Sequence, residues 1–378
     1  MIGTIRWFSL CFGLGFLATT FSQAQTLTKE ALGRVLFMDT NLSFNRTQSC
    51  ATCHAPSAGF VDQRDNGIAS MASMGDDQAS IGDRQAPTAS YAMLSPEFHF
   101  SQEEGEYMGG QFWDGRAKDL AAQAGGPPLN PIEMGMPSKE SVVQRLKENP
   151  FYVKGFKQLF GDTIWQNSDA SFEAMTVAIA EYEKSSEFAP FDSKYDRYLR
   201  GEYEMTFDEE LGMALFFSNN NTNCNSCHML KRPEQKGETF TNYQFHNIGV
   251  PVNQQLRAVN GFEDSEVDSG LLANPLVTDA IHRGKFKVPT LRNVAVTAPY
   301  MHNGVFAELR TVLAFYDQFN NPERNVNPET GQPWRNPEVP ETVNHELLKM
   351  KMLTDRKLNA LEAFLKTLTD KKFESLVD

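Results

Sequence analysis

Cys50-Ala51-Thr52-Cys53-His54 returns downstream as Cys224-Asn225-Ser226-Cys227-His228, and the rest of the chain is read outward from this pair. C-x-x-C-H is the attachment signature of c-type haem. The two thiols add across the porphyrin vinyl groups as thioethers, and the adjacent His becomes the proximal ligand of the iron. The spacing has a physical reason: one short turn must present both sulfurs to a porphyrin edge and the imidazole to its face. C-x-x-C alone also serves thioredoxin-like redox centres and zinc sites. A four-Cys zinc site would leave both following histidines unexplained, whereas two covalent haems use all six residues.

The chain holds five cysteines. Cys11 lies in an N-terminal segment with Arg6, an apolar run over 7–18 and Ser22-Gln23-Ala24 before Gln25. A charged start, a short apolar run and a small-x-small site predict a cleavable export signal over 1–24. The run is short for a membrane anchor. Cys11 then leaves with the signal, and the remaining four cysteines all serve the haems, with no disulfide. Export to the periplasm, or onward to the cell surface, agrees with covalent haem attachment, which bacteria carry out beyond the cytoplasm. The chain has 35 basic and 48 acidic residues, a net charge of −13, and losing Arg6 makes it one unit more negative. That balance argues against nucleic acid or anionic lipid as a partner. It is compatible with a basic redox protein docking on a local patch. No second apolar run could span a membrane.

The surroundings of the two motifs repeat as well. Leu32, Val35 and Leu36 fall at helical spacing, followed by Phe37 and a polar loop into Cys50. Thr206 to Glu209 reads as a capping box, ahead of Leu211-Gly212, Leu215-Phe216 and an Asn-rich loop into Cys224. Leu32-Gly33-x-x-Leu36-Phe37 and Leu211-Gly212-x-x-Leu215-Phe216 suggest an internal duplication of helix, polar loop and haem motif. This resembles the cytochrome c plan, in which a first helix precedes the haem motif and a last helix packs across it. Phe172, Met175, Ile179 and Tyr182 supply a last helix for the first half, and Leu358, Leu361, Leu365 and Leu368 one for the second. Strand patterns are scarce, and 62–85 and 322–340 read as loops. The expected fold is all-α and loop-rich with little strand. It comprises two cytochrome c-like haem domains, 25–190 and 191–378, with 190–204 as the linker.

Two stretches then carry a family resemblance. One is Gln111-Phe112-Trp113-Asp114-Gly115-Arg116-Ala117, with Asp119-Leu120-Ala121-Ala122-Gln123, Gly126-Pro127 and Ile132-Glu133-Met134 after it. The other is Lys287-Val288-Pro289-Thr290-Leu291-Arg292-Asn293-Val294, leading into Thr297-Ala298-Pro299-Tyr300-Met301-His302-Asn303-Gly304. With both haem motifs and Ala363-Phe364-Leu365-Lys366-Thr367-Leu368, the mature chain resembles the bacterial di-haem cytochrome c peroxidase and MauG family over nearly its whole length. The resemblance implies that His54 is proximal ligand of an N-terminal, peroxide-reacting haem and His228 that of a C-terminal, electron-transfer haem. Trp113 matches the tryptophan that relays electrons between the haems. Glu133 matches the distal acid, and Gln123 and Pro127 match residues that shape its pocket. The chemistry suits these roles. Cleaving the O–O bond of peroxide needs a group that removes one proton and returns it to the departing oxygen, which a nearby carboxylate can do. A tryptophan that can be oxidised and re-reduced splits a long electron transfer into two short hops. Taken without the family, Trp113 reads as a core aromatic and Glu133 as a solvated loop carboxylate.

The second iron ligands separate the branches of the family. Peroxidases activated by reduction carry a blocking His on the loop after the first haem motif, but residues 55–95 contain none. The next is His99, in a segment over 94–110 that is longer than the family pattern. An N-terminal haem open in the oxidised state is therefore expected, as in MauG-type proteins. For the C-terminal haem, Tyr300, Met301, His302, Tyr316, His345, Met350 and Met352 are all candidates, and periodicity does not choose among them. The family's spacing points to Leu313-Ala314-Phe315-Tyr316-Asp317, where peroxidases have Met and MauG-type proteins Tyr. It thus implies His228/Tyr316 ligation, with a packing tyrosine as the alternative. A phenolate is a harder, anionic donor and should lower that haem's potential.

The family also holds a calcium ion between its domains, through backbone carbonyls matching Thr297 and Pro299 and an Asn side chain. Tyr91 stands at that Asn position, and a water can take the place of the missing ligand. Arg116, Arg292, His246 and His302 are candidates for haem propionates or pocket edges, with ordinary structural hydrogen bonds as the alternative. The resemblance implies an exported oxidoreductase that reduces hydrogen peroxide with electrons from a protein donor. That donor is a small cytochrome or copper protein or, in MauG-type chemistry, an aromatic residue of a partner protein. A non-catalytic two-haem electron carrier is the alternative from another class, opposed by Glu133 and by the missing blocking His. The family includes dimers, so a homodimer is among the expected assemblies.

Overall fold

The computed structural model describes residues 26–377 apart from 234, 236 and 264. The export signal expected over 1–24 lies outside the described residues. The first half contains α1 (Lys29–Phe37), α2 (Cys50–Cys53), α3 (Leu120–Ala124), α4 (Lys139–Lys147), α5 (Pro150–Phe160) and α6 (Ser168–Glu183). The second contains α7 (Lys194–Leu199), α8 (Phe207–Phe216), α9 (Cys224–Cys227), α10 (Gln254–Arg257), α11 (Leu309–Asp317) and α12 (Asp355–Lys366). Strand among the described residues is limited to three two-stranded antiparallel pairs. The rest is turns and loops, as expected of a helix-rich chain with little strand.

Local signals explain where the long helices start. Thr28 accepts from the Ala31 amide at the head of α1, and Asn167 accepts from that of Ala170 at α6. At α8 the Thr206 and Glu209 side chains exchange hydrogen bonds with each other's backbone amides, the capping box expected there. Each of these caps satisfies amides that the first turn leaves without a partner.

Two helix crossings organise the molecule: α1 lies against α6, and α8 against α12, the most extensive helix pairings among the described residues. Gly33 and Gly212 sit at the two crossing points. A Cβ on Gly33 would stand 1.8 Å from the Ala178 carbonyl oxygen, and one on Gly212 would stand 1.9 Å from that of Ala360. Only a residue without a Cβ lets the two backbones come this close. The repeated Leu-Gly-x-x-Leu-Phe pattern is therefore a repeated helix contact. Around the first crossing Leu32, Leu36 and Phe37 are buried against Met175, Ile179 and Tyr182. Around the second, Leu215 and Phe216 pack with Leu361, Phe364 and Leu365. Each fully buried Leu or Phe contributes about 1.5–3 kcal/mol, so these stripes are the main adhesive of each half. Leu368 is buried just beyond the end of α12 rather than within it.

The stretch over 190–204, expected as the linker, is ordered. It folds into α7, capped by a reciprocal Ser193–Asp196 pair. Asp196 forms a two-pronged ion pair with Arg292 at 2.6 and 3.0 Å, and Arg292 is 1 % exposed. A guanidinium buried in this way needs its carboxylate, because an unpaired charge in the interior is costly. After α12 the chain returns to the first half, where Phe373 joins the cluster around α1 and α6.

Candidate haem sites and the cleft between them

The two histidines of the haem motifs sit in matching shells. In each, Cys-x-x-Cys forms one helical turn, α2 or α9, and the His amide donates to the first Cys carbonyl at 2.9 Å. His54 Nδ1 donates to the Phe60 carbonyl at 3.2 Å, and His228 Nδ1 donates to that of Phe240 at 2.9 Å. Since a carbonyl can only accept, the proton is fixed on Nδ1 and Nε2 is left free as a ligand. A Pro-Thr pair braces each loop: Thr88 Oγ1 donates to the Gly59 carbonyl at 2.6 Å, and Thr290 Oγ1 to that of Thr239 at 2.7 Å. Phe60 and Phe240 both have positive φ, 57° and 55°, as do Tyr91 and Asn293 three residues beyond the threonines, 61° and 63°. Tyr91 and Asn293 then meet on one residue. Asp370 accepts from Tyr91 Oη at 2.6 Å and from Asn293 Nδ2 at 2.8 Å.

The four thiols are unpaired, and burial raises the pKa of every one, most strongly at Cys50. Burial also pushes the His54 imidazole down, and that of His228 to about 4. Both imidazoles are thus neutral at pH 7, the state in which histidine binds a metal.

A cavity enclosing roughly 1670 Å³, part of it continuous with solvent, opens beside Cys224, Cys227 and His228. Its walls are largely apolar, including Leu313, Leu361 and Leu365, and Tyr316 on α11 lines it too. The Tyr316 phenol is pushed up by burial. His246 and His302 also border the cavity, and each has an Nε2 with no hydrogen-bond partner. Unpartnered ring nitrogens, which donate in one tautomer, in an apolar cavity beside two thiols and a neutral imidazole fit an anionic porphyrin. Of the other candidates for this iron, Tyr300, Met301 and Met350 border the same cavity, but the Tyr300 hydroxyl is engaged with the Val294 carbonyl at 3.1 Å. His345 and Met352 are exposed.

At the first motif the neighbouring groups differ. Glu133 is half-buried in the loop after α3, and burial pushes its carboxyl up, with Arg116 opposing the shift. Its charge is felt at both Cys50 and Cys53, which places it at the N-terminal site. Gln123 and Pro127 lie just upstream, at the end of α3 and in the turn after it. Arg116 pairs with Asp114 at 2.8 Å and stacks 3.8 Å over the Phe112 ring. His99 is exposed on its hairpin, with Nδ1 turned to the Glu97 carbonyl at 2.8 Å. A second buried acid, Glu183 at the end of α6, is pushed up to about 8 by burial and acts on Cys50. Nothing in its helical stripe distinguishes it in the sequence.

Trp113 borders both the large cavity and a second one between the halves. Its indole donates to the Gln85 carbonyl at 2.8 Å. The second cavity also holds Thr297 and Pro299. Tyr91, at the position of the family's Asn, has its hydroxyl committed to Asp370. The side chain beside the Thr297 carbonyl is that of Gln85, 3.4 Å away. Turning that amide over would set two oxygens side by side, a donor set that suits calcium. For Arg292 the structural alternative holds, since its guanidinium is taken up by Asp196 and four surrounding aromatic rings. The matching Ala86-Pro87-Thr88 and Val288-Pro289-Thr290 triplets would have revealed the paired shells in the sequence. Asp370 carries no such signal.

Residues 27–204 match a protein family described as di-haem cytochrome c peroxidase. The chain is 50 % identical over 352 residues to the methylamine utilization protein MauG of Paracoccus denitrificans, covering 92 % of this chain and 90 % of that protein. It is 36 % identical over 279 residues to the cytochrome c peroxidase Ccp of Escherichia coli, covering 73 % of this chain and 50 % of that protein. Among solved structures, the diheme peroxidase BthA of Burkholderia thailandensis superposes with a TM-score of 0.81 at 30 % identity. That match covers 93 % of this chain and 88 % of the other. The chain belongs to the di-haem cytochrome c peroxidase and MauG family of oxidoreductases.

Proposed function

We propose that the protein is an exported, periplasmic enzyme that reduces hydrogen peroxide with electrons drawn from a partner protein. Two haem domains, 25–190 and 191–378, each bind one haem c, through Cys50 and Cys53 and through Cys224 and Cys227. Bound haem supplies an iron that takes up peroxide and passes single electrons. His54 Nε2 and His228 Nε2 would hold the two irons, and Tyr316 would join His228 in holding the second. Glu133 takes a proton from the incoming peroxide and returns it to the oxygen that departs. Its raised pKa suits a group that must alternate between acid and base near neutral pH. Gln123 and Pro127 shape the space around it. Trp113, bordering both cavities, relays electrons between the sites. Calcium, where bound, rests on the Thr297 and Pro299 carbonyls and the Gln85 side chain, and stiffens the seam beside Trp113.

The observation that carries this reading is the asymmetry of the two sites. Their proximal shells match, yet one has a half-buried acid beside it and the other a half-buried tyrosine. The partner is a small cytochrome or copper protein, or a protein whose aromatic residue is oxidised; the identity to the Paracoccus protein favours the latter. The test is stopped-flow absorption of the fully oxidised protein mixed with one equivalent of hydrogen peroxide. The expected result is a rapid change in the haem bands without prior reduction. A change that appears only after a reductant is added would overturn the open first site and point to a blocking ligand.

A further inference from the structure

The loop that carries Glu133 is fastened from outside the haem motifs. The Asp76 amide donates to the Glu133 carbonyl at 2.7 Å, and the Phe44 amide donates to that of Met134 at 2.8 Å. The Asp76 carboxylate accepts from Thr47 Oγ1 at 2.6 Å, from the Thr47 amide at 3.2 Å and from the Asn45 amide. Asn45 Nδ2 closes the arrangement on the Asp76 carbonyl at 3.1 Å. Gln48 Nε2 adds a bond to the Met74 carbonyl at 2.6 Å. Asp76 is 3 % exposed, and among the described residues no cation is paired with it, so its charge is met by these donors and the Ser43 hydroxyl. Gly75 lies so close to the acid loop that a Cβ there would stand 2.7 Å from the Ile132 carbonyl oxygen. Asp76 thus joins two loops: its carboxylate holds the loop entering the first haem motif, and its backbone amide holds the loop that carries the acid.

We propose that Asp76 is a positioning residue for Glu133, locking the acid's backbone to the segment that leads into Cys50. This rests on the reading of Glu133 as the distal acid. The physical need is plain. A proton-transfer group must stay within about 0.5 Å of its working place, and a misplacement of about 1 Å costs on the order of 100-fold. Glu133 sits in a loop, so its precision has to come from neighbours. A buried charged acceptor gives stronger hydrogen bonds than a neutral one, and Asp76 gathers three of them while its own amide holds Glu133.

The test is a double-mutant cycle on the purified holoprotein, reading the second-order rate of the haem-band change with peroxide. Asp76→Asn keeps the side-chain size and should slow this rate roughly tenfold, with the resting haem spectrum unchanged. In a Glu133→Gln background the same substitution should cost less than about twofold, because a residue acting through another loses its effect when that other is gone. An equal loss in both backgrounds, or none in the first, would overturn the proposal. If Glu133→Gln alone leaves the rate unchanged, the reading of Glu133 fails first and this proposal falls with it, and the single variant identifies which. Should Asp76→Asn yield no holoprotein, Thr47→Val removes one donor and should give a smaller loss with the same dependence on Glu133.

Discussion

The two halves agree wherever a haem must be held and differ wherever it must act. On the proximal side the correspondence runs residue by residue. Gly33 matches Gly212, His54 matches His228, Phe60 matches Phe240, Thr88 matches Thr290, and Tyr91 matches Asn293. Beside the first site stands an ionisable carboxyl raised by burial; beside the second stands a buried phenol. The proximal shell answers one geometric demand, a neutral imidazole aimed at a porphyrin face with its other nitrogen tied down. That demand is the same in both halves. In the proposed function the opposite side answers to chemistry, and there a proton-transfer group and a permanent ligand exclude each other.

The sharpest way to break this comparison is to remove the acid. Glu133→Gln should slow the peroxide reaction by about 100- to 10,000-fold, while the resting spectra of both haems stay nearly unchanged. A rate within about threefold of wild type would remove the acid–base role and leave the asymmetry without a function. Next comes the matching of the helix crossings. Gly33→Ala and Gly212→Ala each drive a methyl group into a backbone carbonyl. Each should cost about 3 kcal/mol or more, read as a lowered denaturation midpoint. Two similar losses support two equivalent crossings. A tolerated alanine at either position would show that one crossing can spread apart and the other cannot.

Replacing the phenol probes the second half alone. Tyr316→Met exchanges an anionic oxygen donor for a thioether, and the potential of the C-terminal haem should rise by on the order of 0.1 V. The measurement is a spectroelectrochemical titration that resolves the two haems. An unchanged potential and an unchanged low-spin spectrum would reduce Tyr316 to a packing residue.

How much of this was legible in the chain depends on how local each feature is. The haem turns, the capping box at Thr206 and the Leu-Gly-x-x-Leu-Phe helices follow from residues within one or two turns of each other. Their readings agree with the structure. The order within the expected linker over 190–204 is not legible locally, because the residue that anchors it, Arg292, lies 96 residues from Asp196. Tyr91 stands where the family has a calcium-binding Asn, and its partner, Asp370, which no local pattern reveals, is 279 residues away. Gln85 was missed for the same reason, since only the folded chain brings it to Thr297. Local spacing predicts elements, but it cannot say which of several buried polar groups will find each other.

Asp370 offers the last and smallest test, at the one point where equivalent residues of the two halves touch. Burial pushes its carboxyl up to about 6, against hydrogen bonds from Tyr91 and Asn293 and the nearby Arg292 charge, which pull it down. A carboxyl raised above its unfolded value of 3.8 holds its proton more tightly in the folded state. Its contribution is therefore fully present below about pH 4 and fades as pH rises through about 6. The amount at stake is on the order of 3 kcal/mol. Asp370→Asn keeps an acceptor for the Tyr91 hydroxyl but cannot ionise. Other carboxylates, Glu183 among them, titrate in both proteins, so the informative quantity is the difference between wild type and variant. Measured by denaturant unfolding, the variant should gain on the wild type between pH 4.5 and 7. A constant difference across that range would mean that the junction stays ionised, held by Arg292. The two halves would then be joined by charge rather than by a shared proton.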